Sequence, residues 1–236
     1  MRLEVKDKKV VTKYIGPIIG YLQKYGECFS FEDRERINRA LEEFMDGLVL
    51  SDYLCLQIFD ELGILPDEQN PYIAFSKTLN ECFDVKDKNV IEIGGGRLLR
   101  LSKRIASIQD RGTITVYDTK PLINNKENLK LKVVEQKFLG ASDAKNADVL
   151  IGLLATSSAE TVLKAAMEAN KDFMIALFNK QNLNLFCEDT VTTLDDIKKF
   201  TNSMEEKIAD SNLGKLKIKY LKEIGQAYPI IYNERG

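Results

Sequence analysis

Between residues 90 and 118 the chain gathers the side chains best suited to holding a nucleotide-type ligand. Val90-Ile91-Glu92-Ile93-Gly94-Gly95-Gly96-Arg97 runs from a short apolar segment into a glycine turn, and Asp118 closes the next apolar segment. A glycine turn between a strand and a helix lets the backbone reverse tightly and lets a ligand approach where side chains would obstruct it. The positive end of a helix beginning near Arg97 adds a field that favours an anionic group. Taken singly, Glu92 and Asp118 read equally well as solvated strand-end carboxylates; together with the turn they favour a ligand. The chain has no histidine. This excludes serine-histidine and cysteine-histidine hydrolase mechanisms, argues against a structural zinc site, and leaves no metal site expected.

The elements that must position these residues follow from the apolar periodicity. Val90 to Ile93 is a first strand, and Leu98, Leu101, Ile105 and Ile108 give the following helix a core-facing stripe. Ile114 to Tyr117 is a second strand ending at Asp118, Leu131 to Val134 a third, and Asp148 to Leu153 a fourth. A helix from about Ser158 to Asn170 and a fifth strand from Phe173 to Phe178 follow. Strands alternating with helices require a parallel sheet covered on both faces. Thr193 caps a helix carrying Leu194, Ile197, Phe200, Met204 and Ile208, and the segments Leu216–Leu221 and Tyr228–Tyr232 read as a closing hairpin.

Before residue 88 the pattern is helical. Ser30 with Asp33 caps a helix bearing Ile37, Leu41, Phe44 and Leu48; Leu54, Ile58 and Leu62 form a second stripe that stops at Gly63; Asn70-Pro71 starts a third helix carrying Leu79 and Phe83. The expected fold is therefore α/β: a Rossmann-like, doubly wound, mostly parallel sheet with a C-terminal antiparallel hairpin and a helical N-terminal subdomain. The division is residues 1–86 for the helical part and 87–236 for the sheet domain.

The turn departs from the dinucleotide fingerprint, because Leu99 stands where GxGxxG would have its third glycine. Ile91-Glu92-Ile93-Gly94-Gly95-Gly96 instead resembles the first motif of class I S-adenosylmethionine-dependent methyltransferases, in which an acid precedes a GxG turn at this spacing. The resemblance covers residues 89–178 and the final hairpin. It implies S-adenosylmethionine as cofactor, with Glu92 orienting it, Gly94, Gly95 and Gly96 admitting it to the backbone, and Asp118 binding its ribose hydroxyls. By the same resemblance an acid near the end of the third strand contacts the adenine, where this chain reads Glu135-Gln136-Lys137-Phe138, so that either Glu135 serves or Lys137 marks a departure, and Leu153 closes the fourth strand beside the cofactor. Tyr117 either packs beside its strand end or flanks the adenosine. Residues Leu154 to Ser157 would face the methyl acceptor, but they match neither the amino-group DNA methyltransferase motif nor the proline-cysteine of cytosine C5 enzymes. The acceptor stays unassigned. Ser157 and Ser158 read as caps of the helix that follows them.

Composition sets the outer bounds. The 236 residues are 44% hydrophobic and 30% charged, an ordinary globular balance. Lys and Arg (34) nearly cancel Asp and Glu (36), so no global basic field implies nucleic acid. No apolar run is long enough for a membrane span and the first ten residues are too charged for a signal-peptide core, which places the chain in the cytoplasm. Cys28, Cys55, Cys82 and Cys187 lie far apart and form no CxxC pair, so they are expected to be reduced and buried. Two other readings compete with a methyltransferase: a nicotinamide-nucleotide-binding oxidoreductase or sensor, and a non-catalytic interaction protein that keeps the fold.

Overall fold

The computed structural model describes residues 70–96, 99–119, 121, 130–153, 156–176, 194–209, 211–221 and 228–235, together with Gln57, Asp60 and Asp67. The helices expected around Ile37–Leu48 and Leu54–Leu62 lie outside them, apart from Gln57 and Asp60, which are helical. The chain divides into two compact units, Met1–Pro66 with Leu183–Thr190 and Asp67–Asn182 with Val191–Gly236. The second carries every element named below.

Helix α1 (Pro71–Phe83) starts as its sequence requires: the Asn70 carboxamide oxygen accepts from the Tyr72 and Ile73 backbone N–H groups, and Pro71 occupies the first turn. It ends at Asp84, whose φ of 45° turns the chain into a short 3-10 segment (Val85–Asp87). There follow β1 (Asn89–Ile93), α2 (Arg100–Ile108), β2 (Thr113–Asp118), β3 (Leu131–Glu135) and the short α3 (Ala141–Ala144). After these come β4 (Val149–Leu153), α4 (Thr156–Ala169), β5 (Asp172–Ala176), α5 (Leu194–Ala209), β6 (Lys215–Leu221) and β7 (Tyr228–Glu234).

Among the described residues one seven-stranded sheet runs in the order β3-β2-β1-β4-β5-β7-β6. The first five strands are parallel, and β7 is antiparallel to both β5 and β6. The expected sheet and hairpin are both present. The parallel strands β1, β4 and β5 are buried along nearly their whole length, as a sheet covered on both faces demands. On one face Ile91, Ile93, Leu150, Phe173 and Ile175 pack with Val162 and Ala166 of α4 and Met204 and Ile208 of α5. On the other, α2 lies against β2 and β3 and is itself contacted by α1, whose Tyr72, Phe75 and Leu79 are fully buried.

Several boundaries differ from the sequence reading. Helix α2 begins at Arg100 rather than near Arg97, because Leu99, its N-cap, is in left-handed geometry with a φ of 54°. Arg97 and Leu98 lie outside the described residues. Ile108, the last member of the α2 stripe and the last residue of the helix, is 36% exposed. Helix α4 starts at Thr156, which puts Ser157 and Ser158 in its first turn rather than before it. The thiol of Cys82 is free and half-buried rather than buried, and the other three cysteines lie outside the described residues.

Candidate functional site

Strand pairing decides which sequence candidates meet. Glu92 pairs with Val116 of β2 and Ile151 of β4, and Asp118 pairs with Glu135 of β3. Because side chains alternate along a strand, Glu92, Asp118, Glu135 and Leu153 project from one sheet face at the carboxyl ends of four adjacent strands. Tyr117 projects from the opposite face. Its ring packs edge-on against Phe138 at 5.3 Å, and burial, then the Asp143 carboxylate, push its phenol pKa up. Glu135 is exposed, whereas Leu153 is buried.

The glycine turn joins β1 to α2 over this face. The Gly94 N–H donates to the Tyr117 carbonyl at 2.9 Å, and the Gly96 N–H donates to the Asp118 carboxylate at 2.9 Å. Gly94 and Gly96 have φ values of 74° and 71°, a region that side chains disfavour. Gly95 is constrained by space instead: a Cβ there would meet Val116 Cγ1 at 2.4 Å and Glu92 Oε2 at 3.3 Å. All three glycines are therefore required by the turn. Leu99, at the missing third-glycine position, adopts the left-handed conformation without being glycine, and its side chain is fully buried. Burying a leucine contributes about 1.5–3 kcal/mol, enough to offset the roughly 1–2 kcal/mol that left-handed backbone costs.

Glu92 is the electrostatic centre of the site. It is wholly buried. Ser102 of α2, equally buried, donates its hydroxyl hydrogen to Oε2, while Oε1 has no hydrogen-bond partner among the described residues. Loss of water raises the Glu92 pKa from 4.5 to about 7; the Ser102 hydrogen bond lowers it, and the Asp118 charge raises it. A buried carboxylate oxygen without a donor is costly in an isolated protein and is the kind of group that a cationic or hydrogen-bond-donating ligand completes.

Ser102 was not among the sequence candidates. Its signal was present all the same: it lies three residues before Ile105 and next to Leu101, so a hydroxyl borders the apolar stripe of α2. A polar residue bordering a core-facing stripe calls for a buried partner, and Glu92 is that partner.

No protein-family model matches the chain, and no curated protein matches it. Solved structures do match. The plantazolicin methyltransferase BpumL in complex with SAH superposes with a TM-score of 0.55 at 13% identity, over 79% of this chain and 91% of that one. The same enzyme with a pentazolic desmethylPZN analog and SAH gives 0.53 at 13% identity, over 78% and 91%. The methyltransferase domain of the bacterial CtHen1 C-terminal region gives 0.52 at 12% identity, over 72% and 100%. The antiparallel β7 set between β5 and β6 also separates this sheet from the 3-2-1-4-5-6 order of dinucleotide-binding folds. The seven-stranded, mostly parallel sheet with its closing hairpin thus has the fold of the class I, Rossmann-like methyltransferases that it superposes on.

Proposed function

We propose that this chain is an S-adenosylmethionine-dependent methyltransferase, with the cofactor held across the carboxyl ends of β1, β2 and β3. The observation that carries the reading is the fully buried Oε1 of Glu92, unpartnered among the described residues, beside a glycine turn that cannot admit a Cβ at residue 95. A ligand with an ammonium group fits that oxygen. A ligand with vicinal hydroxyls fits Asp118, whose carboxylate otherwise accepts from Gly96, and Glu135 stands one strand further out for the remainder of a nucleoside.

When bound, S-adenosylmethionine supplies an electrophilic methyl group on a sulfonium. The chain's own task is placement. Glu92 would accept from the amino end of the methionine moiety, Asp118 from the ribose, and the backbone of residues 94–96 would close against the ligand. Alignment of nucleophile and methyl donor can supply much of the acceleration of such a transfer, so the absence of histidine is no obstacle. The residues that follow β4 are the candidates to face the acceptor. A cytoplasmic setting goes with this reading and is supported by the free Cys82 thiol.

Isothermal titration of the full chain tests the reading. The wild type should bind S-adenosylmethionine or S-adenosylhomocysteine, and Asp118→Ala should weaken binding by about tenfold or more, the scale of a lost hydrogen bond to a charged group. NAD should not compete. A wild type that binds neither adenosyl ligand would end the proposal, and one that binds NAD in their place would move the chain to the oxidoreductase or sensor class.

A further inference from the structure

Within the proposed site, the Ser102–Glu92 contact is more specific than cofactor binding in general requires. Ser102 sits in the third position of α2, fully buried, and its hydroxyl is committed to one of the two Glu92 oxygens. The other oxygen is buried and has no donor among the described residues. Among the described residues, Val116 of β2 and Ile151 of β4 flank Glu92 in the sheet, and the Gly95 backbone lies over its carboxyl group. The Ser102 backbone N–H adds a second favourable contact beside the hydroxyl, and Asp118 at the end of β2 is the charged group acting on it. None of these offers a cation. The carboxyl group is thus held at one oxygen and incomplete at the other.

We propose that Ser102 is the positioning residue of the site: its hydroxyl fixes Oε2 and so turns Oε1 of Glu92 into a single, oriented acceptor for the ammonium group of the ligand, whose binding then expels the proton from Glu92. The inference rests on the cofactor reading above. Its chemistry balances without a further reactant. The neutral carboxyl group gives its proton to solvent, and the bound ammonium supplies the charge that stabilises the carboxylate. Burial makes the neutral form abundant in the free protein near neutral pH, since the Glu92 pKa is about 7. Asp118 opposes ionisation, Ser102 favours it, and the ligand's positive charge tips the balance.

The test is calorimetric titration of the full chain with S-adenosylhomocysteine at several pH values from about 5.5 to 9, in buffers of different ionisation enthalpy so that released protons are counted. Affinity of the wild type should rise with pH up to about 7 and fall again toward about pH 9 as the ligand's own ammonium deprotonates, with up to one proton released per ligand bound at low pH. Ser102→Ala should weaken binding by about tenfold at neutral pH and move the rise to higher pH, because the donor that favours the carboxylate is gone. Ser102→Thr, which retains the hydroxyl, should restore most of both. Glu92→Gln should bind weakly at every pH with no proton release, and its melting curve will show whether the fold is intact. If the wild type binds but Ser102→Ala matches it in affinity and pH profile, this inference is overturned while the cofactor reading stands. Equal weakening at every pH, not restored by threonine, also overturns it, since that is the pattern of a merely structural serine. A wild type that binds no adenosyl ligand overturns both.

Discussion

At the amino ends of the parallel strands polar side chains tie neighbouring strands together, although Gln109 Oε1 there is buried without a partner among the described residues. The buried Asn233 accepts from the Phe173 N–H at 2.7 Å and donates to Asp172 at 2.9 Å and to the Leu213 carbonyl at 3.0 Å, tying β5 to β7. Asp148 accepts from the Asn89 N–H at 2.7 Å, and Asn89 accepts from Thr113, so β1, β2 and the residue before β4 are joined in the same way. The carboxyl ends are built differently. There a fully buried carboxyl group keeps one oxygen without a donor, and Gly94, Gly96 and Leu99 all sit in left-handed backbone geometry. Left-handed backbone is found at both ends, since Asp84 and Asn170 precede β1 and β5, so what sets the carboxyl end apart is a fully buried ionisable group with one oxygen lacking a donor among the described residues. The same division follows from topology, since open α/β sheets bind ligands outside the carboxyl ends of their strands.

The largest expected effect tests the amino end. Asn233→Ala removes three hydrogen bonds and strands the Phe173 N–H and the Leu213 carbonyl in a buried place. At roughly 1 kcal/mol per bond plus the desolvation of the groups left behind, unfolding free energy should fall by about 4 kcal/mol. Urea denaturation measures this. Ligand affinity of the folded fraction should be unchanged; a loss of affinity comparable to the loss of stability would show that the two ends are not separable.

Glu92→Gln should act in the opposite direction, raising stability. The unfolded chain ionises Glu92 near 4.5 and the fold near 7, so between these values the unfolded state holds fewer protons and stability falls as pH rises. The penalty is absent below about pH 4.5 and complete above about pH 7. An interval of about 2.5 pH units corresponds to about 3 kcal/mol. Glutamine does not ionise. The variant should therefore be about 2 to 3 kcal/mol more stable than wild type at pH 8 and indistinguishable from it at pH 4, as read from paired denaturation curves. Parallel pH profiles for the two proteins would show that Glu92 imposes no such penalty.

These two residues also show what was legible in the sequence. Glu92 and Asp118 stood out because each is an acid at the end of an apolar strand, and the strand pattern itself placed the sheet and its hairpin, whereas the face that Glu92, Asp118 and Glu135 share comes from the strand register. Asn233 and Ser102 did not stand out. Their roles come from contacts 60 and 10 residues away along the chain, and such contacts have no local signature beyond a polar residue in an apolar setting. Tyr117 could be placed on a strand end, but the face it takes depends on the register of β1 with β2, which pairs it with Ile93 rather than Glu92. Leu99 was visible as a departure from a glycine pattern. That its backbone would nonetheless keep the left-handed geometry could not be read from its type, because what holds it is the burial of its side chain.

Leu99→Gly separates strain from packing at the binding end. Glycine relieves the left-handed backbone but deletes a fully buried side chain, and the second effect is the larger. A net loss of about 2 kcal/mol is expected, against 3 kcal/mol or more for an ordinary buried leucine truncation. Thermal denaturation of Leu99→Gly beside Leu101→Ala supplies the comparison. If Leu99→Gly is the more damaging of the two, the turn is not strained at that residue.

The smallest effect belongs to Arg235, and it tests whether the amino end is one network or two layers. Its guanidinium donates to Asp172 at 2.6 Å and to the Asn170 carbonyl at 2.9 Å, but with 37% and 20% of the Arg235 and Asp172 side chains exposed, water competes for both charges. Exposed ion pairs are worth about 0–1 kcal/mol and weaken with salt. Asp172 retains Asn233 as a donor when Arg235 is lost, so no buried charge is stranded. Arg235→Met should therefore lower stability by less than about 1 kcal/mol at low ionic strength, and the difference should shrink further in high salt. A loss approaching that of Asn233→Ala, and insensitive to salt, would mean that the surface pair holds the buried amide in place. The strength of the amino end would then reside in the whole chain of contacts from Arg235 through Asp172 to Asn233, rather than in the buried residue alone.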